Sequence, residues 1–179
     1  MARKGFSAVG LTEILTTAGV PKGSFYHYFA SKDAFGEAIL AAYFESYLVE
    51  IDDILSRPDL SMAERVMAYF SNWRNAQGAD ECLGRCLAVK LGAEVADLSE
   101  AMRLTLKAGT GAIISRLSEA IRGGVAEGSI RAAQAPEETA ATLYHLWLGA
   151  SVMAKVLRAQ DPFDTAIRTT RHLLGLGMT

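Results

Sequence analysis

The sequence has few of the features that mark secreted or membrane-spanning proteins. Its 179 residues include only four prolines and two cysteines, Cys82 and Cys86. Two cysteines four residues apart do not form the disulfide framework of a secreted domain, so we expect a reducing, cytoplasmic location. No stretch approaches the roughly 20 apolar residues that a membrane helix needs. The N-terminus also lacks the apolar segment of a signal peptide, and we expect no membrane association.

The sequence also lacks the motifs of common enzyme classes. It has no spacing of metal ligands, no glycine loop for phosphate and no nucleophile elbow, so we expect neither a metal nor a cofactor. Of the three histidines, only His145 is a candidate general base, and Glu94, Cys86 and Lys155 could join it in a thiol peroxidase or hydrolase site. This enzymatic alternative is weaker than a binding function, so the sequence predicts no enzyme.

Charge is distributed unevenly along the chain. The formal net charge is −2 and half of the residues are hydrophobic, which is enough for a sizeable core. Residues 1–32 nevertheless carry a balance of +3, which leaves −5 on the remainder. A basic N-terminal region on an otherwise acidic chain suits a protein that binds DNA at one end only.

The stretch from Leu11 to Lys32 predicts two short helices joined by a tight turn. Apolar residues recur there at helical spacing, Gly19 suits a positive φ at a helix end, and Pro21 suits a helix entry. The second helix combines donors and exposed rings with three residues that we expect to anchor it inward: Val20, Phe25 and Phe29. A short helix of this composition is typical of one that enters the major groove.

The run AGVPKGSFYHYFASKDAF resembles the DNA-binding signature of the TetR family of bacterial transcriptional regulators. The alternative is a small three-helix packing unit without a nucleic-acid role. The resemblance implies a helix-turn-helix in which phosphate contacts set the register and base contacts set the sequence. The DNA-binding residues that it implies are Thr12, Lys22, Gly23, Ser24, Tyr26, His27, Tyr28 and Lys32.

The resemblance implies an all-α fold with two domains. We expect residues 1–34 to form the helix-turn-helix domain and residues 35–179 a helical sensor and dimerisation bundle. Family members ordinarily have a helix before the helix-turn-helix, and MARKGFSAVG is too short for it, so we expect that helix to be largely missing. Its loss would expose apolar surface on Leu11, Leu15, Phe25 and Phe29. A DNA-incompetent paralogue is therefore one alternative.

In the remainder of the chain, apolar residues recur at helical spacing and do not alternate with polar residues as in a β-strand, so we expect a series of helices. Ser31 or Asp33 can cap the third helix, and Ser61 with Glu64 forms a capping box. The last two helices are apolar over more than one face and rich in small residues, so we expect them to pair with a second copy. A two-fold dimer would match a palindromic operator in double-stranded DNA. Alternatively, both helices simply close the core of the monomer.

Residues 84–103, GRCLAVKLGAEVADLSEAMR, resemble the branch of the family that responds to N-ethylmaleimide and other electrophiles. That resemblance implies a reactive Cys86, and WLGASVMAKVLRA at residues 147–159 adds Lys155. Lys155 shares an expected inward stripe with Ser151, and an ammonium near Cys86 would lower the pKa of the thiol. The alternative is an inert cysteine that only packs.

A second form of regulation is reversible binding of an apolar inducer in a cavity between the central helices. The candidate lining residues are Phe70, Trp73, Met102, Leu106, Tyr144, Trp147, Ser151 and Met153. The same side chains could equally fill a solid core. The sequence therefore predicts a repressor that releases its operator when a cysteine is modified or a small inducer binds.

Overall fold

The computed structural model describes residues 5–78 and 87–177, and every regular element within those ranges is an α-helix. The all-α prediction is confirmed. No helix in these ranges is both long and apolar enough to cross a bilayer. The eight described helices are α1 (Leu11–Ala18), α2 (Lys22–Tyr28), α3 (Lys32–Leu55), α4 (Met62–Gly78), α5 (Leu87–Leu98), α6 (Glu100–Glu127), α7 (Pro136–Leu157) and α8 (Asp161–Leu173).

The helix ends follow local sequence signals. Gly19 ends α1 with φ of +64°, a conformation that glycine adopts without steric cost. The Ser31 hydroxyl accepts the Ala34 N–H at 3.1 Å and caps α3. At α4, the Ser61 N–H donates to Glu64 Oε2 at 2.8 Å, and the Glu64 N–H donates to Ser61 Oγ at 3.3 Å. The predicted capping box is therefore confirmed, and its hydrogen bonds lower the pKa of Glu64.

The chain divides into two compact units, each built from two separate stretches of sequence. The first unit contains the described parts of Met1–Ser46 and Leu83–Thr110, so it holds α1, α2, α5 and the starts of α3 and α6. The second contains those of Tyr47–Cys82 and Gly111–Thr179. The expected boundary after residue 34 falls within α3, and the compact unit around the helix-turn-helix is larger than residues 1–34. A functional division there stays a prediction.

Aromatic rings form much of the core around the helix-turn-helix. Phe25 is 5% exposed, and its ring centroid lies 5.4 Å from that of Phe29 and 5.5 Å from that of Phe35. Leu15 is also buried, so the expectation that Leu15 and Phe25 would be exposed is wrong. Val20, which we expected to point inward, is 39% exposed because it lies in the turn rather than on a packed helix face.

The second unit has its own aromatic core. The Trp147 ring stacks on Phe70 with centroids 4.8 Å apart and lies 5.8 Å from Phe163 on α8. Its indole N–H donates to Thr170 Oγ1 at 2.9 Å, and that of Trp73 donates to Ser151 Oγ at 3.0 Å. Both buried indoles are therefore satisfied, which removes the free-energy cost of burying an unpaired donor.

Two glycines of α6 provide a matched test of packing. A Cβ at Gly109 would overlap the buried ring of Phe44, whereas a Cβ at Gly111 meets no atom within 4 Å. We expect Gly109→Ala to lower the free energy of unfolding by about 1–3 kcal/mol through overpacking. Gly111→Ala should raise it by about 0.5–1 kcal/mol through helix propensity. Urea unfolding of both variants measures the difference, and an equal effect would contradict this close approach of α3 and α6.

Candidate nucleic-acid interface

The second helix of the pair presents aromatic and polar side chains to solvent. Phe25 fixes the inward face of α2, while Tyr26 and Tyr28 on the same helix are 49% and 77% exposed. The other predicted contacts on α2 that are exposed are Lys22, Gly23, Ser24 and His27. Exposed large rings beside donors form a surface that suits DNA grooves and phosphates.

A shallow groove of about 390 Å³ lies at the turn between α1 and α2. Thr12 on α1 and Lys22 on α2 both line it, so the structure brings together predicted contacts from both helices. The Lys22 ammonium lies 6.0 Å from the centroid of the Tyr26 ring and is exposed. It is therefore accessible to a phosphate oxygen.

Lys32 is a predicted DNA contact whose ammonium is hydrogen-bonded within the protein. Its Nζ donates to the Phe6 carbonyl oxygen at 2.6 Å and lies 4.4 Å from the centroid of the Phe6 ring. The side chain is half-buried. A phosphate contact by Lys32 stays a prediction, and its observed contacts are with the segment that precedes α1.

Glu94 on α5 contacts the same segment, and sequence analysis missed this role. Its carboxylate accepts the N–H groups of Phe6 at 3.1 Å and Ser7 at 2.8 Å. Hydrogen bonds from Ser7 are the main reason that the pKa of Glu94 is lowered, with Phe6 and the charge of Lys32 adding to them. The contact joins residues 87 and 88 positions apart, so no local pattern could reveal it.

The predicted sensor residues have different outcomes. Cys86 lies outside the described residues, and α5 begins at the next residue, Leu87. Lys155 is exposed on α7 rather than inward, so the expectation of an inward lysine stripe is wrong. Helical spacing places Lys155 one turn after the buried Ser151, but Val156 and Leu157 beside it are 67% and 57% exposed. Among the described residues, few side chains therefore pack around the end of α7.

Apart from Met153, the side chains proposed to line a ligand pocket are buried in packed cores of the described structure. Within the second unit, Trp73 contacts the rings of Tyr144 and Trp147 at centroid distances of 5.7 and 6.0 Å. Met102 and Leu106 are buried in the first unit, and Met153 is 44% exposed, so Met153 does not line a buried cavity. Ligand binding by the remaining residues stays a prediction.

Comparison with known proteins assigns this architecture to a family. Residues 1–39 match the family described as bacterial regulatory proteins, tetR family, and residues 63–170 match the tetracyclin repressor-like C-terminal domain. The HTH-type transcriptional repressor NemR of Escherichia coli (strain K12) is 38% identical over 172 residues, which cover 96% of this chain and 86% of NemR. The transcriptional regulator AcuR of Cereibacter sphaeroides is 31% identical over 97% of this chain and 80% of AcuR.

Solved structures support the same assignment. The crystal structure of the reduced form of E. coli NemR matches with a TM-score of 0.92 at 37% identity, covering 99% of this chain and 92% of that chain. The matched domains and relatives are transcriptional regulators, which excludes the enzymatic alternative. The chain belongs to the TetR family and is a NemR-like transcriptional repressor.

Proposed function

We propose that this repressor holds its operator while Cys86 is a free thiol and releases it when that thiol is alkylated or oxidised. The observation that carries the proposal is that α5, which begins directly after Cys86, belongs to the same compact unit as α1 and α2. The similarity to NemR, whose crystal structure is described as a reduced form, supports a redox-linked state. A chemical change beside α5 therefore acts within the unit that binds DNA.

Alkylation provides a simple trigger. The Cys86 thiolate sulfur adds to the alkene carbon of N-ethylmaleimide, and the neighbouring carbon takes a proton from water. The product is a bulky thioether in place of a small thiol. We propose that the added bulk displaces α5, because packed helices absorb added volume poorly and change between discrete arrangements. A peroxide can oxidise the same thiolate: the sulfur attacks one peroxide oxygen, the O–O bond breaks and hydroxide leaves. The resulting sulfenic acid is likewise larger and more polar than the thiol.

The operator surface that we propose is the exposed face of α2 with the adjoining end of α1. Thr12 and Lys22 line one groove, and Tyr26, His27 and Tyr28 continue the surface along α2. Cationic and hydroxyl groups would bind phosphates, while ring edges and the imidazole would contact bases. Because such a repressor acts on operator DNA, we propose a cytoplasmic location.

The end of α7 supports a homodimer. Val152, Met153, Val156 and Leu157 are each at least 44% exposed and lie within two turns of one helix. Contiguous exposed apolar residues of this kind mark an interaction site. Pairing of α7 and α8 with a second copy would cover them, and the two α2 helices would then contact the half-sites of a palindrome. Lys155 lies among these residues, so in our proposal its surroundings are set by the partner.

A salt titration tests the DNA surface. We expect Lys22→Ala to weaken operator binding and to reduce the slope of log affinity against log salt by roughly one per subunit, as for one lost phosphate contact. The control is Lys107→Ala, which removes an exposed lysine from α6. Fluorescence anisotropy with a duplex selected by the protein from random sequences gives both slopes. Equal slopes for the two variants would show that Lys22 makes no phosphate contact.

Limiting N-ethylmaleimide tests the sensor. We expect alkylated wild type to release the operator, Cys82→Ser to behave like wild type and Cys86→Ser to stay bound. Gel shifts measure release, and peptide mass spectrometry locates the adduct. Release of the Cys86→Ser variant, or labelling of Cys82 with Cys86 unmodified, would contradict the proposal.

Light scattering tests the dimer. At micromolar concentration we expect a dimer for wild type and a monomer for Val156→Glu, because a buried unpaired carboxylate opposes association. Val49→Glu is the matched control, since Val49 on α3 is 58% exposed and lies away from α7 and α8 in the sequence. This interface would be refuted if wild type were a monomer, or if Val49→Glu lost the dimer while Val156→Glu kept it.

A further inference from the structure

Phe6, which precedes α1, is hydrogen-bonded to two helices of the first unit, and its ring lies near a third. The N–H of Phe6 donates to Glu94 on α5, and its carbonyl accepts from Lys32 on α3. Its ring is 4% exposed, and an added Cβ at Gly36 on α3 would lie 2.6 Å from that ring and 2.7 Å from Met102 Sδ on α6. We call Phe6, Ser7, Lys32 and Glu94 the Phe6 clamp.

The contacts between Glu94 on α5 and the segment before α1 are close. Both carboxylate oxygens of Glu94 are used, one by Phe6 and one by Ser7. Gly5 has φ of +86°, and a Cβ there would lie 2.8 Å from Glu94 Oε2. Glycine suits this position for two reasons: it adopts a positive φ without steric cost, and it has no Cβ to clash with the carboxylate. A charged acceptor on two successive backbone donors gives stronger hydrogen bonds than neutral partners would.

The clamp also joins both ends of the helix-turn-helix. Phe6 and Ser7 lie four to five residues before α1, and Lys32 begins α3 four residues after Tyr28 ends α2. The segment that leads into α1 and the segment that follows α2 are thus in contact through Phe6 and Lys32. Glu94 then fastens both to α5, whose first residue follows the proposed sensor cysteine.

We infer that Glu94 is the positioning residue through which α5 sets the orientation of the DNA-binding helices. The inference rests on the proposed function for its trigger, since Cys86 precedes α5. A displacement of α5 would carry Glu94 away from Phe6 and Ser7, and the helix pair would lose the orientation that fits the operator. In this arrangement Lys32 also affects DNA binding through its contacts with Phe6.

The first measurement is independent of thiol chemistry. We expect Glu94→Ala to weaken operator binding in reducing buffer by roughly tenfold or more, in the range of allosteric coupling. Glu94→Gln should be intermediate, because its amide oxygen can still accept one of the two N–H groups. The control is Glu100→Ala, which removes an exposed carboxylate of α6 that pairs with Arg103. Circular dichroism shows that each variant is folded, and unchanged affinity of folded Glu94→Ala would overturn the inference.

The second measurement separates positioning from a merely structural role. Alkylation should weaken operator binding of wild type and Glu100→Ala by a factor in the usual coupling range of about 5–150, and that of Glu94→Ala by less than about threefold. A merely structural residue would lower both affinities of its variant and leave their ratio unchanged, and that result would overturn the inference. If alkylation left the operator affinity of wild type unchanged, the proposed sensor would be refuted instead. The measurement in reducing buffer would still decide the role of Glu94.

Discussion

The carboxylate of Glu94 satisfies two backbone donors that no helix could satisfy, because Phe6 and Ser7 precede α1. Phe6 is 4% exposed, and an unpaired buried backbone donor costs about 1–3 kcal/mol, so the bond of its N–H to Glu94 fixes where the chain enters the helix-turn-helix. Lys32 holds the same residue from α3. The orientation of the DNA-binding helices therefore depends on two oppositely charged side chains that meet at Phe6.

This arrangement explains why the DNA-binding unit extends well beyond the helix-turn-helix. α5 and the start of α6 share a compact unit with α1 and α2, and buried Met102 and Phe6 both contact the position of Gly36. The second unit is organised differently, around stacked rings and satisfied indole N–H groups. Such a core changes its packing only at considerable cost in free energy.

Local chemistry made much of the fold predictable. The turn at Gly19 and the capping box of Ser61 with Glu64 follow from backbone sterics and neighbouring hydrogen bonds, and the structure confirms both. The sequence could not reveal the bond between Glu94 and Ser7, because nothing in either neighbourhood indicates a partner 87 positions away. Lys155 shows a second limit. A helical period shows which residues share a face, but it does not show whether anything packs against that face.

The most direct test of this account follows the amides of Phe6 and Ser7 by hydrogen exchange. These N–H groups should be protected in the reduced repressor and should exchange faster once Cys86 is alkylated, together with release of the operator. If the operator is released while both amides keep their protection, the signal reaches DNA by another route and the central claim is contradicted.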